Sequence, residues 1–284
     1  MKFSIIVPCY NQSQYLFGVI DNIAKSTQHD HEVIIINDGS TKPRTVEMLE
    51  KLSPAGSHQH LVKINQENMG LANTRNVGLN KARGEFIQFL DADDMLVAGK
   101  LDRQAALMDR EELDIAIDEY LIGDENLCEF RNGDHKLCDY VLTLENIALE
   151  WERGMSIPVH CPLIRRSSLG NIRFGSDMRA KEDWLFWMLF FAEPRRYAFT
   201  GVVGAIYRVH ASSMTRSDNR SNGLQWLKAI EKSRILLSDG FGDGETSAAI
   251  KHFNDFYLKH YYINDGAFNK SLFGNYLRNI VEDR

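Results

Sequence analysis

Short apolar segments alternate with helix-like segments in the first third of the chain. The largely apolar segments cover residues 3–7, 32–36, 60–64 and 85–90. Between them, residues 14–24, 45–52 and 71–82 have the spacing and composition of helices. Strands separated by helices of this length predict βαβ units and a parallel sheet. Such strands are apolar on both faces because helices cover both sides of the sheet.

Polar residues follow each predicted strand, in segments 8–11, 37–40, 65–68 and 91–94. We expect Pro8 to end the first strand and residues 37–40 to form a turn. Parallel strands place their carboxyl ends at one edge of the sheet, and open α/β sheets bind ligands outside that edge. We therefore predict a binding site formed by these four segments.

The last of these segments, Asp91-Ala92-Asp93-Asp94, places three carboxylates within four residues. Like charges this close repel and destabilise the folded chain unless a cation neutralises them. A divalent cation with oxygen ligands that also bridges phosphates would do so. The alternative is a solvated acidic turn that caps a helix beginning after Met95. The spacing alone favours neither interpretation.

The composition of the 284-residue chain is that of an ordinary globular protein, with 44% hydrophobic and 25% charged residues. Its formal net charge of −6 argues against a nucleic-acid partner. We expect no transmembrane segment, because no stretch reaches the roughly 18 apolar residues that a membrane span needs. The N-terminal apolar stretch is also too short for a secretory signal. The four cysteines show no CxxC spacing, so we expect reduced thiols and a cytoplasmic protein.

The remainder of the chain is less regular and ends in helical segments. Residues 113–117 are a candidate strand, residues 143–151 a short helix, and residues 196–210 a strand. Three helical segments follow a polar break, at residues 224–237, 247–262 and 272–281. The pattern predicts a main α/β domain followed by helices.

Six sequence blocks resemble family 2 glycosyltransferases of the GT-A fold, at residues 4–11, 33–40, 68–78, 91–94, 181–184 and 207–215. The resemblance implies an α/β fold, with a GT-A-type Rossmann-like mixed sheet flanked by helices and a C-terminal helical extension. It implies a catalytic domain at residues 1–218, with a nucleotide-binding half at 1–94 and an acceptor-binding half at 95–218. The helical extension would then cover residues 219–284.

The same resemblance implies an inverting glycosyltransferase that depends on a divalent metal, Mn²⁺ or Mg²⁺. The donor would be a nucleotide-sugar, most often a UDP-sugar. The acceptor would be a glycan, a lipid-linked molecule or a protein, in surface polysaccharide or glycoconjugate synthesis. The protein would act in the cytoplasm, either free or peripherally associated with the inner face of the membrane.

The resemblance implies contacts to the nucleotide base for three residues. The ring of Tyr10 could stack on the base, although it could also pack on the first helix. The carboxylate of Asp38 could accept a hydrogen bond from a base N–H, although Asp-Gly-Ser is also common in turns and helix N-caps. Arg75 would lie near the base, and its alternative is an exposed helix arginine.

The implied nucleotide site also includes Pro8, Asn11, Asn68 and Asp91. Pro8 would act only through its backbone, since its ring fixes the turn. Asp91 would bind the ribose or support the metal ligand.

The resemblance implies that Asp93 is a direct metal ligand. Asp94 could instead cap the following helix. His210, after the last predicted strand, is a candidate ligand of the metal or the diphosphate, although a lone histidine is often structural. Arg208 and the residues after it could form a loop over the diphosphate.

Asp183, within Lys181-Glu182-Asp183-Trp184, is the candidate general base for the acceptor hydroxyl. The alternative is that Glu182 and Asp183 merely complement the N-terminal dipole of a helix. Trp184 is a candidate platform for a sugar ring or a core residue.

Two other functions remain open. A sugar-phosphate nucleotidyltransferase shares the α/β layout but needs a Gly-rich basic loop after the first strand, and Pro8-Cys9-Tyr10-Asn11 has neither feature. A catalytically silent subunit that binds a nucleotide-sugar is disfavoured by the presence of Asp91, Asp93 and Asp183.

Overall fold

The computed structural model describes residues 1–52, 60–151 and 154–211, together with residues 229, 232, 233, 235 and 236. The chain divides into two compact units, Met1–Ser233 and Arg234–Arg284. The predicted domain boundary after residue 218 lies outside the described residues, and so do the helices predicted at 247–262 and 272–281. These assignments stay predictions. Within 224–237, the five residues that are described are helical.

Strands and helices alternate strictly in the first third of the chain. The elements are β1 (Phe3–Cys9), α1 (Ser13–Ser26), β2 (His31–Asp38), α2 (Pro43–Lys51), β3 (Leu61–Gln66), α3 (Leu71–Lys81) and β4 (Phe86–Phe89). The four strands pair in parallel in the order β3-β2-β1-β4. The predicted βαβ units are therefore confirmed.

The following elements extend the same sheet in a different pattern. They are β5 (Met95–Leu96), α4 (Lys100–Glu111), β6 (Ile115–Gly123), β7 (Phe130–Asn132), a 3₁₀ turn (Leu137–Asp139), α5 (Leu144–Glu150), β8 (Pro162–Arg165), α6 (Arg166–Leu169), α7 (Glu182–Phe190) and β9 (Tyr197–Arg208). The described strands continue as β4-β8-β6-β9-β5, with β7 paired to β6. Strand β8 is antiparallel to β4 and β6, whereas β6 and β9 are parallel. The sheet is mixed, as predicted.

Strand β1 continues through Pro8 to Cys9, so the prediction that Pro8 ends this strand is wrong. The Ile6 carbonyl accepts a hydrogen bond from the Leu90 N–H, so the backbone groups of Ile6 and Pro8 face the β4 side. Pairing with β4 stops at Ile6, opposite Phe89. The missing N–H of Pro8 therefore lies beyond the last ladder bond on that side, where a proline is tolerated.

Three other predicted boundaries differ from the structure. Residues 37–38, expected in a turn, end β2 and pair with β3. Residues 95–96 form β5, and the next helix begins only at Lys100. The candidate strand at 113–117 becomes β6, which extends to Gly123 because it pairs with both β8 and β9.

The core covers both faces of the parallel part of the sheet. All seven residues of β1 are buried, and α1 buries its predicted stripe, Leu16, Val19, Ile20 and Ile23. Helix α3 approaches the sheet closely at Gly78, where a Cβ atom would lie 2.3 Å from Cγ2 of Ile6. Glycine is therefore required at this position for α3 to cover β1.

No helix in the described part of the chain is long and apolar enough to cross a membrane. The four cysteines are free thiols, as predicted from their spacing: Cys9 and Cys161 are buried, and Cys128 and Cys138 are exposed.

A buried carboxylate connects β1, β2 and the segment before β4 at the end of the sheet opposite the predicted site. Glu32, near the start of β2, has a side chain fully excluded from solvent. It accepts hydrogen bonds from the Ser4 hydroxyl at 2.6 Å, the Arg83 backbone N–H at 2.7 Å and the Arg83 guanidinium at 3.0 Å. Burial would raise the pKa of Glu32, but Ser4 and Arg83 together hold it below its usual value.

We expect Glu32→Gln to lower the free energy of unfolding by about 1–3 kcal/mol at neutral pH, because it leaves buried hydrogen-bonding groups poorly paired. The folded-state pKa of Glu32 is depressed, so its contribution is present above the unfolded pKa and is lost as the pH falls through the folded one. The difference between the variant and the wild type, measured by urea unfolding, should therefore shrink in acid. Glu47→Gln removes an exposed partner of Lys51 and should have no measurable effect. Equal stability of Glu32→Gln and the wild type at neutral pH would contradict this role.

Candidate functional site

Hydrogen bonds join the loops after β1 and β2 at one edge of the sheet. The side-chain oxygen of Asn11 accepts from the backbone N–H groups of Thr41 and Lys42, both at 2.9 Å. The Asn11 backbone N–H donates to the Ser40 hydroxyl at 3.0 Å. Two of the four predicted strand-end segments therefore meet, and Asn11 is the residue that connects them.

Asp38 connects the end of β2 to the loop that enters α3. It is 4% exposed. Its Oδ1 accepts from the Gln66 side chain and the Met69 N–H, each at 2.8 Å, and its Oδ2 accepts from the Gly70 N–H at 3.0 Å. Asp38 thus holds the third strand-end segment in place, and its contact with a nucleotide base stays a prediction.

Two of the residues predicted to bind the nucleotide have exposed side chains at this edge. Tyr10, directly after β1, is 47% exposed, and Asn68 is exposed in the loop before α3. A Cβ atom at Gly39 would lie 2.7 Å from the Asn68 backbone nitrogen, so the two loops pack closely only with a glycine there. Pro8 is buried within β1, and its action through the backbone alone stays a prediction. The ring of Tyr10 can therefore stack on a planar ligand.

Arg75 lies between two carboxylates and is 2% exposed. Its Nη2 donates to both oxygens of Asp91, at 2.8 and 3.0 Å, and its Nη1 donates to Glu182 at 3.0 Å. Burial would lower the pKa of Arg75, but Asp91 and Glu182 raise it, so the guanidinium stays charged. The alternative of an exposed helix arginine is therefore wrong, and contact with a base stays a prediction.

Asp93 and His210 form a second pair in the acidic segment. Oδ2 of Asp93 lies 2.8 Å from Nε2 of His210 and accepts a hydrogen bond from Nε2 of Gln12, also at 2.8 Å. The side chains are 15% and 2% exposed, respectively. Burial, together with the charges of Asp94 and Asp91, raises the pKa of Asp93 to about 6. These surroundings favour the addition of a positive charge.

Asp94 is paired on the buried side of the same segment. Its Oδ1 accepts from the Arg208 N–H at 2.9 Å, and its Oδ2 lies 2.7 Å from Nδ1 of His160. The side chains of Asp94 and His160 are 1% and 2% exposed. The prediction that Asp94 caps the following helix is wrong, because that helix begins at Lys100 and Asp94 is bonded to the end of β9.

Arg208, the last residue of β9, donates hydrogen bonds to the backbone of the acidic segment and of a neighbouring loop. Its Nε donates to the Asp93 carbonyl at 2.6 Å, and its Nη1 donates to the Glu125 carbonyl at 2.7 Å. The guanidinium carbon lies 4.6 Å from the centre of the Tyr15 ring. Arg208 is therefore packed within the fold. The expectation that it belongs to a loop over the diphosphate is wrong. The residues from 212 to 220 lie outside the described part of the chain.

Asp183 lies in the first turn of α7, beside the Arg75 bridge. Its Oδ1 accepts from the Trp184 N–H at 2.9 Å, as a helix-terminal carboxylate does. Burial and the charge of Asp183 raise the pKa of Glu182. Trp184 is fully buried and donates its indole N–H to the Ile147 carbonyl at 2.9 Å, so it belongs to the core and is not a platform for a sugar.

The Asp93–His210 pair has the geometry of two ligands that share one cation. Two atoms that each bind a metal at about 2.0–2.2 Å lie within about 4.4 Å of each other, and these two are 2.8 Å apart. Among the residues that the structure describes, no group of three or more His, Cys, Asp or Glu side chains could hold a metal ion. A cation such as Mg²⁺ commonly uses one or two carboxylates and completes its shell with substrate phosphates and water. The pair fits that kind of site.

An open α/β sheet binds its ligands outside the carboxyl ends of its strands, and in this chain that edge is polar and acidic. Residues 4–173 match the family described as "Glycosyl transferase family 2". The chain belongs to this family and is a glycosyltransferase, as the six sequence blocks predict. The alternative of a nucleotidyltransferase is thereby excluded.

Two curated relatives extend over most of the chain. GgaB of Bacillus subtilis, a "Minor teichoic acid biosynthesis protein", is 28% identical over 229 residues, which cover 79% of this chain and 25% of that protein. WfaP of Escherichia coli is named "UDP-Glc:alpha-D-GlcNAc-diphosphoundecaprenol beta-1,3-glucosyltransferase"; it is 26% identical over 238 residues, covering 84% of this chain and 86% of that protein. The chain therefore spans about a quarter of GgaB.

The fold is similar to that of solved structures of Staphylococcus aureus TarS. The structure of TarS residues 1–349 in complex with UDP-GlcNAc has a TM-score of 0.72 at 22% identity and covers 95% of this chain and 74% of that chain. The complex of the same fragment with UDP has a TM-score of 0.69. The predicted GT-A fold is confirmed by this likeness.

Two residues of the site were missed by sequence reasoning. Gln12, which donates to Asp93, adjoins segment 8–11, and this adjacency was a usable signal. His160, which pairs with Asp94, belongs to no block and shows no spacing that relates it to the acidic segment. Only the fold brings His160 to Asp94, because His160 lies two residues before β8.

We expect Arg75→Met to lower the free energy of unfolding by about 3–5 kcal/mol, because it leaves two carboxylates at least partly buried without a cation. Arg75→Lys should lose less, since it keeps the charge, although an ammonium cannot reproduce the forked contact to both partners. Urea unfolding followed by tryptophan fluorescence measures both variants. A Met variant as stable as the Lys variant would show that the bridge does not stabilise the fold.

Proposed function

We propose that this glycosyltransferase moves a sugar from a UDP-sugar to an acceptor of surface polysaccharide or glycoconjugate synthesis, with inversion and with a divalent metal. The observation that carries this proposal is the Asp91–Arg75–Glu182 bridge. It ties the acidic segment after β4 to the first turn of α7, where Asp183 lies. A donor diphosphate and a general base are thereby assigned to one edge of the sheet.

The nucleotide is assigned to the edge formed by the ends of β1, β2 and β3. The support is the accessible ring of Tyr10 and the closely tied loops beside it. TarS has been crystallised with UDP and UDP-GlcNAc, and WfaP is named for UDP-Glc. We assign the contacts to the nucleotide base to Tyr10 and Asp38. The remaining nucleotide positions are assigned to Pro8, Asn11, Asn68, Arg75 and, for the ribose, Asp91.

Asp93 and His210 are assigned as the protein ligands of Mn²⁺ or Mg²⁺. The chemistry expected of a cation there is neutralisation of the charge that develops on the diphosphate leaving group. Gln12 holds the carboxylate of Asp93, and Arg208 holds its carbonyl. The orientation of Asp93 is therefore fixed before any ligand binds, which lowers the entropy lost on binding.

Asp183 is assigned as the general base. The acceptor hydroxyl attacks the anomeric carbon while the bond from that carbon to the diphosphate oxygen breaks, and the hydroxyl proton passes to Asp183. Asp183 lies in the first turn of α7, where a carboxylate complements the positive end of the helix dipole. A positioned base of this kind accelerates a reaction about 10²- to 10⁴-fold.

The acceptor is proposed to be a glycan, a lipid-linked molecule or a protein. The support is the names of two relatives, which refer to teichoic acid and to a diphosphoundecaprenol acceptor. We propose that the reaction takes place on the cytoplasmic side, with peripheral association at the membrane. The four free cysteines agree with a reducing compartment.

We expect Asp183→Asn to keep UDP affinity and to slow transfer about 10²- to 10⁴-fold, because an amide cannot accept the proton. UDP affinity is measured by calorimetry, and transfer by UDP release from UDP-Glc and UDP-GlcNAc with a lipid extract as acceptor source. Asp177→Asn makes the same change at an exposed position before α7 and should leave both values unchanged. Full activity of Asp183→Asn would remove the base assignment. Wild-type protein that binds UDP but releases none from either donor would favour the silent subunit.

We expect UDP to bind more tightly with Mn²⁺ or Mg²⁺ than with a chelator, because a cation at Asp93 would bridge to the diphosphate. Asp93→Asn should reduce this difference, and calorimetry with each metal and with EDTA measures it. Asp109→Asn, which removes a partly exposed partner of Lys2 and Arg165, is the matched control and should behave as the wild type. Equal affinity of the wild type with metal and with chelator would contradict the metal assignment.

A further inference from the structure

We propose that His160 is a positioning residue for the Asp93–His210 pair and thus for the cation assigned to it, an inference that rests on the proposed function. His160 lies directly before β8, far in sequence from both ligands. Its influence passes through the carboxylate of Asp94 and the backbone and side chain of Arg208.

The imidazole of His160 is held firmly inside the protein. It is 1% exposed, and its Nδ1 lies 2.7 Å from Oδ2 of Asp94. Its ring stacks with Tyr207 at 6.0 Å between centres, and Tyr120 meets it edge-on at 6.2 Å. The His160 carbonyl accepts from the Gln88 side chain at 3.1 Å. Both the ring and the backbone of His160 are therefore fixed relative to the end of β4.

His160 is the side chain that lies against Oδ2 of Asp94, at 2.7 Å. Burial would lower the pKa of His160, but Asp94 and Cys161 raise it to about 10. A buried carboxylate without such a partner is costly and either takes up a proton or turns toward another donor. His160 thus keeps Asp94 in the orientation that the structure shows.

Two connections lead from Asp94 to the assigned metal ligands. Oδ1 of Asp94 accepts the Arg208 N–H at 2.9 Å and fixes the end of β9, after which His210 follows two residues later. Nε of Arg208 donates to the Asp93 carbonyl at 2.6 Å. The His160–Asp94 pair therefore sets the positions of both His210 and Asp93, whose side chains lie 2.8 Å apart.

The variant His160→Gln distinguishes a positioning role from a purely electrostatic one. It removes a basic side chain from the surroundings of Asp93, so electrostatics alone would predict equal or tighter binding of a cation. Positioning predicts Mn²⁺ binding weaker by about 10- to 100-fold, as is usual when a group that orients a metal ligand is lost. The free Mn²⁺ signal in electron paramagnetic resonance, recorded with the full chain at saturating UDP, measures this affinity.

The double variant Asp94→Asn/His160→Gln is the rescue. Both introduced side chains are uncharged amides, which can pair with each other while an oxygen remains for the Arg208 N–H. We expect its Mn²⁺ affinity to return toward that of the wild type. An affinity about 10-fold or more below the wild type would contradict positioning by this pair. This comparison also decides the question if His160→Gln alone does not fold.

Glu32→Gln is the matched control, because it disturbs a buried carboxylate and its hydrogen bonds at the opposite end of the sheet. It should lower stability and leave Mn²⁺ affinity unchanged. An equal loss of affinity in Glu32→Gln would show that the effect of His160→Gln comes from stability, and would overturn the proposal.

Wild-type protein that binds no Mn²⁺ at saturating UDP would remove the metal part of the proposed function and this proposal with it. Normal wild-type binding, with equal or tighter binding by His160→Gln, would remove the His160 proposal alone.

Discussion

The crowding of three carboxylates directly after β4 is the constraint on which the site depends. Each carboxylate contacts a different side chain from a distant part of the chain: Arg75, His210 and His160. Arg75 belongs to α3, His210 follows β9, and His160 precedes β8. These segments can meet at the end of β4 because β8 returns antiparallel beside it, which brings β6 and β9 into the same sheet. The mixed strand order is therefore what brings these partners to the acidic segment.

Exposure assigns different roles to the three carboxylates. The side chain of Asp94 is 1% exposed, that of Asp93 15% and that of Asp91 28%. The most buried one bonds to the strand that carries His210, and the two outer ones face the edge where a donor would bind. Arg75 connects Asp91 to Glu182, so the donor side and the first turn of α7 form one charged unit. In the proposed function, this unit would bring the nucleotide site and Asp183, which are distant in sequence, to the same bond.

The alternating first third was predictable because its information is local: apolar strands, helical spacing and polar strand ends each follow from neighbouring residues. The accessible position of Tyr10 and the meeting of the strand-end loops follow from the same pattern. Long-range pairing was not predictable. Pro8 was expected to end β1 because the sequence does not show where pairing with β4 stops. Arg208 was expected in a loop because nothing near it reveals the carbonyls that it binds. His160 could not be related to Asp94, since only the order of strands brings the two together.

The central claim is that the acidic segment is a cation–diphosphate site and not a solvated turn. A crystal structure of the protein with UDP and Mn²⁺, with anomalous diffraction data to locate the metal, tests it most directly. The account predicts an anomalous peak that is shared by Asp93, His210 and the diphosphate, with the uracil ring against Tyr10. A diphosphate bound away from this edge, or a metal peak that does not contact Asp93, would contradict it.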